Sequence, residues 1–108
     1  MKKRTIAIVA GGDSSELVVS LRSAQGIYSF IDKERYNLYI VEMQGKRWEV
    51  VLPNGEKTPI DRNDFSFTEN GEKKNFDFAY ITIHGTPGEN GILQGYFDLI
   101  GIDRKSVV

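Results

Sequence analysis

The feature that most constrains the fold is a continuous apolar run that ends in two glycines. Residues 5–10 (TIAIVA) are apolar or β-branched throughout, which is typical of a strand buried on both faces of a parallel sheet. Gly11 and Gly12 end the run, and Ser14 or Ser15 can cap a helix after them. This stretch therefore predicts a strand, a glycine loop and a helix, which together form half of a parallel α/β unit.

The predicted helix carries an apolar stripe at helical spacing and is expected to end near Asp32. The main stripe positions are Leu17, Leu21, Ala24, Tyr28 and Ile31, and Val18 and Ile27 widen it. Such a stripe predicts that one face of the helix packs on a sheet, with Val18 on the buried side.

The rest of the chain continues the alternation of strands and helices. Three further segments rich in β-formers predict strands: residues 36–43, 46–52 and 76–83. Residues 53–75 are polar and interrupted by proline and glycine, which indicates loop and irregular short strand. Residues 92–100 form a short amphipathic helix that Gly101 can stop. The fold class predicted is α/β, a small parallel sheet flanked by helices with a hairpin excursion, in a single domain.

Charge and composition exclude several classes of protein. Of the 108 residues 27% are charged, and the net charge is -1, so neither nucleic acid nor an anionic membrane is expected as a partner. No apolar run approaches the roughly 18 residues of a spanning helix, and a cytoplasmic location is expected. The chain has no cysteine and a single histidine, His84. A disulfide, a thiolate metal site and a polyhistidine metal site are therefore not expected.

Two glycine-rich loops, residues 11–16 and 84–91, fall at the carboxyl edge of the predicted sheet, where parallel α/β proteins bind ligands. In the first loop, Gly11 and Gly12 let a ligand approach the backbone closely. Glu16 in the first helical turn suits a substrate ammonium group, or it merely balances the helix dipole. The loop lacks the third glycine of GxGxxG and the lysine of a phosphate loop, so a nucleotide would have to bind elsewhere.

The second loop carries the only histidine. His84 can bind a carboxylate or stabilise negative charge, or it bonds locally to backbone. Glu89 can orient a neighbour, and Gln94 can link the two loops. Tyr39 and Trp48 are expected to pack the hairpin against the sheet.

At these two loops the sequence resembles a known family. GGDSSELVVSLRSA (residues 11–24) is similar to GGxSxExxVSxxS, the N-terminal signature of D-alanine:D-alanine ligases. HGTPGENGILQG (residues 84–95) is similar to the HGxxGEDGxxQG of the same family. The order, separation and placement of the two motifs after strands make the pair specific, and the resemblance extends over residues 5–102.

The resemblance implies a Rossmann-like pre-ATP-grasp domain of a ligase that uses ATP and magnesium. Such enzymes phosphorylate the carboxylate of one D-alanine, and the amine of a second attacks the acyl phosphate to give the dipeptide used in peptidoglycan. By matched position, Glu16 would contact the ammonium of the first D-alanine, Val19 its methyl group, and His84 its carboxylate. The supporting residues implied are Ser14, Ser20, Glu89 and Gln94. The family also commonly forms homodimers through this domain, which the apolar helix over residues 92–100 would permit.

The sequence departs from the family pattern at two places. Asn90 stands where the family usually has Asp, and residues 103–108 replace a Pro-Tyr-Thr-like strand. The expected organisation is therefore an N-terminal substrate domain over residues 1–102 and a divergent or truncated tail over residues 103–108. The ATP-grasp domains, with the nucleotide pocket and the magnesium carboxylates, are absent from this chain, so the chain alone is expected to be inactive.

Two alternatives stay open at this point. One is a flavodoxin-like or receiver-like module that binds a small ligand without chemistry, although Asp13 has no adjacent acidic partner and Ser14-Ser15 is a weak phosphate loop. The other is a ligase that joins D-alanine to D-lactate, for which the discriminating residues lie outside this chain.

Overall fold

The computed structural model describes residues 3–12, 14–83 and 92–106, and for residues 14, 15, 92 and 106 it describes the backbone alone. The described elements are, in chain order, β1 (Arg4–Gly11), α1 (Ser14–Phe30), β2 (Tyr36–Gln44), β3 (Arg47–Val51), β4 (Lys57–Pro59), β5 (Phe67–Glu69), β6 (Glu72–Lys74), β7 (Phe78–Ile81), α2 (Ile92–Ile100) and β8 (Asp103–Ser106).

Among the described residues, six strands form one mixed sheet in the order β4-β3-β2-β1-β7-β8. β1 pairs in parallel with β2 and with β7, and β7 pairs in parallel with β8. β3 and β4 extend the sheet antiparallel beyond β2. This arrangement confirms the predicted α/β class with its parallel centre and hairpin excursion. Residues 103–106, assigned above to a tail, form the edge strand β8.

The sheet is covered on both faces. β1 is buried on both faces, as predicted, because its alternate side chains enter two separate apolar clusters. Ile6 and Ile8 pack with Ala24 of α1 on one face, and Ala7 and Val9 belong to the cluster of α2 on the other. The two helices therefore lie on opposite faces, and the chain is doubly wound.

Both helices are close to their predicted bounds. Gly101 ends α2 with a φ of 79°, and the Ile102 N–H donates to the Phe97 carbonyl at 2.9 Å, so the predicted helix stop is confirmed. One part of the α1 prediction is wrong. Val18 is 54% exposed, because it lies to the side of the stripe that faces the sheet, so the buried face is narrower than the sequence suggested.

Residues 53–75 contribute more to the core than their polar composition suggests. Phe65 and Phe67 are 0% and 2% exposed, and Phe65 lies at a positive φ of 55°. Trp48 packs edge-on against Phe65 with ring centroids 6.2 Å apart, and Tyr39 against Phe67 at 4.8 Å. The predicted packing of the two aromatic residues, Tyr39 and Trp48, is therefore confirmed.

A polar contact closes the β5–β6 hairpin onto β2. The Tyr39 hydroxyl donates to Glu69 Oε1 at 2.7 Å, and Lys74 Nζ donates to the same oxygen at 2.7 Å. These bonds, from Lys74 first and then Tyr39, hold the pKa of Glu69 below its usual range. Burial and the neighbouring carboxylate raise the pKa of Tyr39, and Glu69 raises the pKa of Lys74.

No helix among the described residues is long and apolar enough to cross a membrane.

Candidate functional site

The candidate site begins where β1 passes into α1. At Gly11 a Cβ atom would lie 2.1 Å from the carbonyl oxygen of Met43 on β2, so only glycine fits here. Gly12 follows with a φ of 116°, and its N–H donates to the same Met43 oxygen at 3.2 Å. The glycine pair therefore lets the backbone turn tightly from β1 against β2 and into α1.

The first turns of α1 are anchored from within the protein. Ser20 is 0% exposed, and its Oγ accepts a hydrogen bond from the Gly11 N–H at 3.0 Å. The same Oγ donates to the carbonyl oxygen of Thr82 at 3.1 Å. Ser20 thus joins the helix to the carboxyl ends of both β1 and β7.

Thr82 completes this group of buried hydroxyls. It is 0% exposed and directly follows β7. Its Oγ1 lies 2.7 Å from the carbonyl oxygen of Val9 and 3.1 Å from Ser20 Oγ. Thr82 was not predicted as a site residue, because threonine is an ordinary β-former in the run FDFAYITI. A hydroxyl among buried apolar neighbours was the only available signal.

Glu16 lies in the first turn of α1, partly buried, at the edge of the sheet that the glycine pair shapes. Val19 is 52% exposed and comes three residues later, so it neighbours Glu16 on the helix surface. Ser20 lies four residues after Glu16, one turn along. The structure therefore brings Glu16, Val19 and Ser20 together on two consecutive turns.

The other predicted site residues are placed differently. Gln94 lies in the first turn of α2, on the opposite face of the sheet from α1. Its backbone carbonyl accepts a hydrogen bond from Arg104 Nε at 3.2 Å, which ties α2 to β8. The side chain of Ser14, and His84 and Glu89 altogether, lie outside the described residues.

The geometry can present a carboxylate and an apolar side chain to a small molecule at the start of a helix. A carboxylate in a first turn is stabilised by the helix dipole, and such a group suits a cationic ligand. A position of this kind, at the carboxyl edge of a doubly wound sheet, is typical of α/β domains that bind small molecules.

The chain belongs to a family described as the D-ala D-ala ligase N-terminus, which matches residues 5–104. A D-alanine–D-alanine ligase of Phocaeicola vulgatus is 89% identical over 104 residues, which cover 96% of this chain and 32% of that protein. This chain therefore spans about a third of the length of such relatives.

Solved structures agree with this family. D-alanyl-alanine synthetase A of Vibrio cholerae matches 97% of this chain and 31% of its own, with 32% identity and a TM-score of 0.79. A D-alanine–D-alanine ligase of Bacillus anthracis complexed with ATP matches 96% of this chain and 28% of its own, with 27% identity and a TM-score of 0.62. These matches favour the ligase N-terminal domain over the flavodoxin-like module.

Proposed function

We propose that this chain is the N-terminal substrate domain of an ATP-dependent ligase that joins two D-alanines. The observation that carries the proposal is the position of Glu16. In a chain of the D-ala D-ala ligase N-terminus family, this carboxylate stands at the start of α1, beside a glycine pair that admits no larger side chain at Gly11. The helix dipole favours its charge there, which suits an amino-acid ammonium group.

The first D-alanine would lie against the opening turns of α1. Glu16 holds its ammonium group, and the exposed side chain of Val19 contacts its methyl group. His84 stands beside its carboxylate, where a polar or cationic group favours negative charge. The residues that shape the two loops are Ser14, Ser20, Glu89 and Gln94. Of these, Ser20 has the clearest support, because its Oγ bonds both Gly11 and Thr82.

ATP and magnesium are assigned to ATP-grasp domains outside this chain. The described residues do not fit either group, since they contain no cluster of three or more His, Asp or Glu side chains that could hold a metal ion. The sequence also lacks the lysine of a phosphate loop. The ATP in the Bacillus anthracis ligase supports the choice of nucleotide. When bound, the nucleotide would supply the phosphoryl group that activates the D-alanine carboxylate.

The cellular setting follows from this reaction. A D-alanine dipeptide serves peptidoglycan synthesis, and so cell wall biogenesis and cell shape, and its synthesis belongs in the cytoplasm. Neither nucleic acid nor membrane is proposed as a partner, because the net charge is only -1. A homodimer is proposed through the α2 side, where Leu99 is 86% exposed.

The test uses a joined ligase, defined as this chain followed by the part of the Phocaeicola vulgatus ligase that it does not span. Phosphate release from ATP is measured with and without D-alanine, for the parent and for Glu16→Gln. We expect D-alanine-dependent release in the parent. In Glu16→Gln we expect kcat/KM for the first D-alanine to fall roughly 10- to 100-fold, because a hydrogen bond to a charged group contributes about 1.5–3 kcal/mol.

The matched control is Glu34→Gln, which removes the same charge from an exposed site beyond the far end of α1. It should keep the parent kcat/KM. Release that does not depend on D-alanine in the parent would contradict the ligase proposal. Parent-like kinetics in Glu16→Gln would leave the ligase in place and remove Glu16 from the substrate site.

A further inference from the structure

Thr82 joins three elements through one residue. Its backbone N–H donates to the Val9 carbonyl at 2.8 Å and extends the β1–β7 ladder by one step. Its hydroxyl lies 2.7 Å from the same oxygen, 3.1 Å from Ser20 Oγ and 3.3 Å from the Ser20 carbonyl. The end of β1, the end of β7 and the second turn of α1 therefore meet at this side chain.

Satisfying buried polar groups does not by itself require this hydroxyl. The Val9 carbonyl already accepts the Thr82 N–H. Ser20 Oγ already accepts the Gly11 N–H and donates to the Thr82 carbonyl. Valine has the same shape as threonine, so Thr82→Val would leave these groups bonded and add apolar surface to the core. The neighbouring polar groups thus keep hydrogen-bond partners without the Thr82 hydroxyl, so the presence of this buried hydroxyl needs another explanation.

The position of Thr82 along the chain offers an explanation for its buried hydroxyl. Ser20 lies one turn after Glu16 on α1, and Thr82 lies two residues before His84. The hydroxyl contact therefore anchors the turn of α1 that follows Glu16, the residue that the proposed function assigns to the ammonium group of the first D-alanine. A shift of α1 relative to the ends of β1 and β7 would move Glu16, and hydrogen bonds across this junction restrict such a shift.

We propose that Thr82 is a positioning residue of the D-alanine site, and this inference rests on the proposed function. Its hydroxyl, with Ser20, fixes the opening turns of α1 against the ends of β1 and β7. Thr82 itself touches no substrate. It holds Glu16 in place relative to the ends of β1 and β7.

The test compares Thr82→Val and Thr82→Ser in the joined ligase. We expect Thr82→Val to raise KM for the first D-alanine about 5- to 20-fold, because displacements of about 1 Å can cost up to 10²-fold. The KM for ATP and kcat should stay within about twofold, since the nucleotide is assigned elsewhere. Thr82→Ser keeps the hydroxyl and should restore KM to within about twofold of the parent.

A variant that combines Thr82→Val with Glu16→Gln distinguishes a positioning role from a general loss of structure. If Thr82 acts through Glu16, Thr82→Val should add less than about twofold to the KM defect of Glu16→Gln. Thermal unfolding of each variant is measured alongside, and Thr82→Ala repeats the comparison if Thr82→Val does not fold.

Three results would overturn the inference. One is a KM in Thr82→Val equal to that of the parent, and another is failure of Thr82→Ser to rescue it. The third is a KM increase in the double variant equal to the product of the increases in Thr82→Val and Glu16→Gln. A parent that shows no D-alanine dependence would instead defeat the proposed function, and this inference with it.

Discussion

At the scale of the residue, the tightest constraint in the molecule is the contact between Gly11 and Met43. A methyl group at Gly11 would lie 2.1 Å from the Met43 carbonyl oxygen, which is a backbone atom and cannot rotate away. Gly11→Ala therefore forces β1 away from β2. We expect the free energy of unfolding to fall by about 2–4 kcal/mol, measured by urea denaturation of the chain.

The matched control is Gly26→Ala in α1. Nothing lies within 4 Å of a Cβ built at Gly26, and alanine has a higher helix propensity than glycine. This control should raise the free energy of unfolding by about 0.5–1 kcal/mol. If both variants shifted stability equally, the Gly11 contact would not be the constraint described.

At the scale of the element, the β5–β6 hairpin is tied to β2 through Glu69. Because Lys74 and Tyr39 hold the pKa of Glu69 below its ordinary value of 4.5, ionised Glu69 stabilises the fold. This contribution is fully present above about pH 4.5 and is lost as the pH falls through the lowered pKa. We expect Glu69→Gln to reduce the free energy of unfolding by about 1 kcal/mol at pH 7.

The difference between the parent and Glu69→Gln should shrink steadily below pH 4.5, as followed by urea denaturation at several pH values. Glu72→Gln is the control, since it removes the same charge from an exposed position on the same hairpin. It should track the parent across the pH range. A difference for Glu69→Gln that stays constant with pH would contradict the role assigned to its charge.

This hairpin also shows where prediction from sequence reaches its limit. Strands of six or more residues with a continuous apolar pattern, such as β1, were predicted because local sequence determines their burial. β5 and β6 have three residues each, too few to show a period. Phe65 is buried at a positive φ, a conformation that non-glycine residues seldom adopt. Its burial depends on Trp48 and other distant rings, which no local pattern encodes.

The candidate site likewise contains residues that the sequence predicts and one that it does not. Glu16 and Ser20 were predicted because a short motif places them at fixed steps along one helix. Thr82 was missed because its contacts with Val9 and Ser20 join residues 73 and 62 positions apart. Contacts of that range follow from the order of strands in the sheet, which a single sequence does not give directly.

At the scale of the whole molecule, the doubly wound topology is consistent with the proposal that this chain supplies a substrate site of a larger ligase. The parallel strands β1 and β7 end at the same edge of the sheet, where the first glycine-rich segment leads into α1. The described residues offer no metal cluster, and this chain spans only about a third of its ligase relatives. The remaining chemistry is therefore assigned to the other two thirds.

We accordingly expect the 108-residue chain alone to release no D-alanine-dependent phosphate from ATP. The joined ligase should release it at the same protein concentration, and its Glu16→Gln variant should lose most of that release. Circular dichroism of the chain alone serves as the control, because an unfolded chain would be inactive for a different reason. D-alanine-dependent turnover by the folded 108-residue chain would contradict the assignment of the nucleotide site to the rest of the ligase, since the sequence lacks the lysine of a phosphate loop.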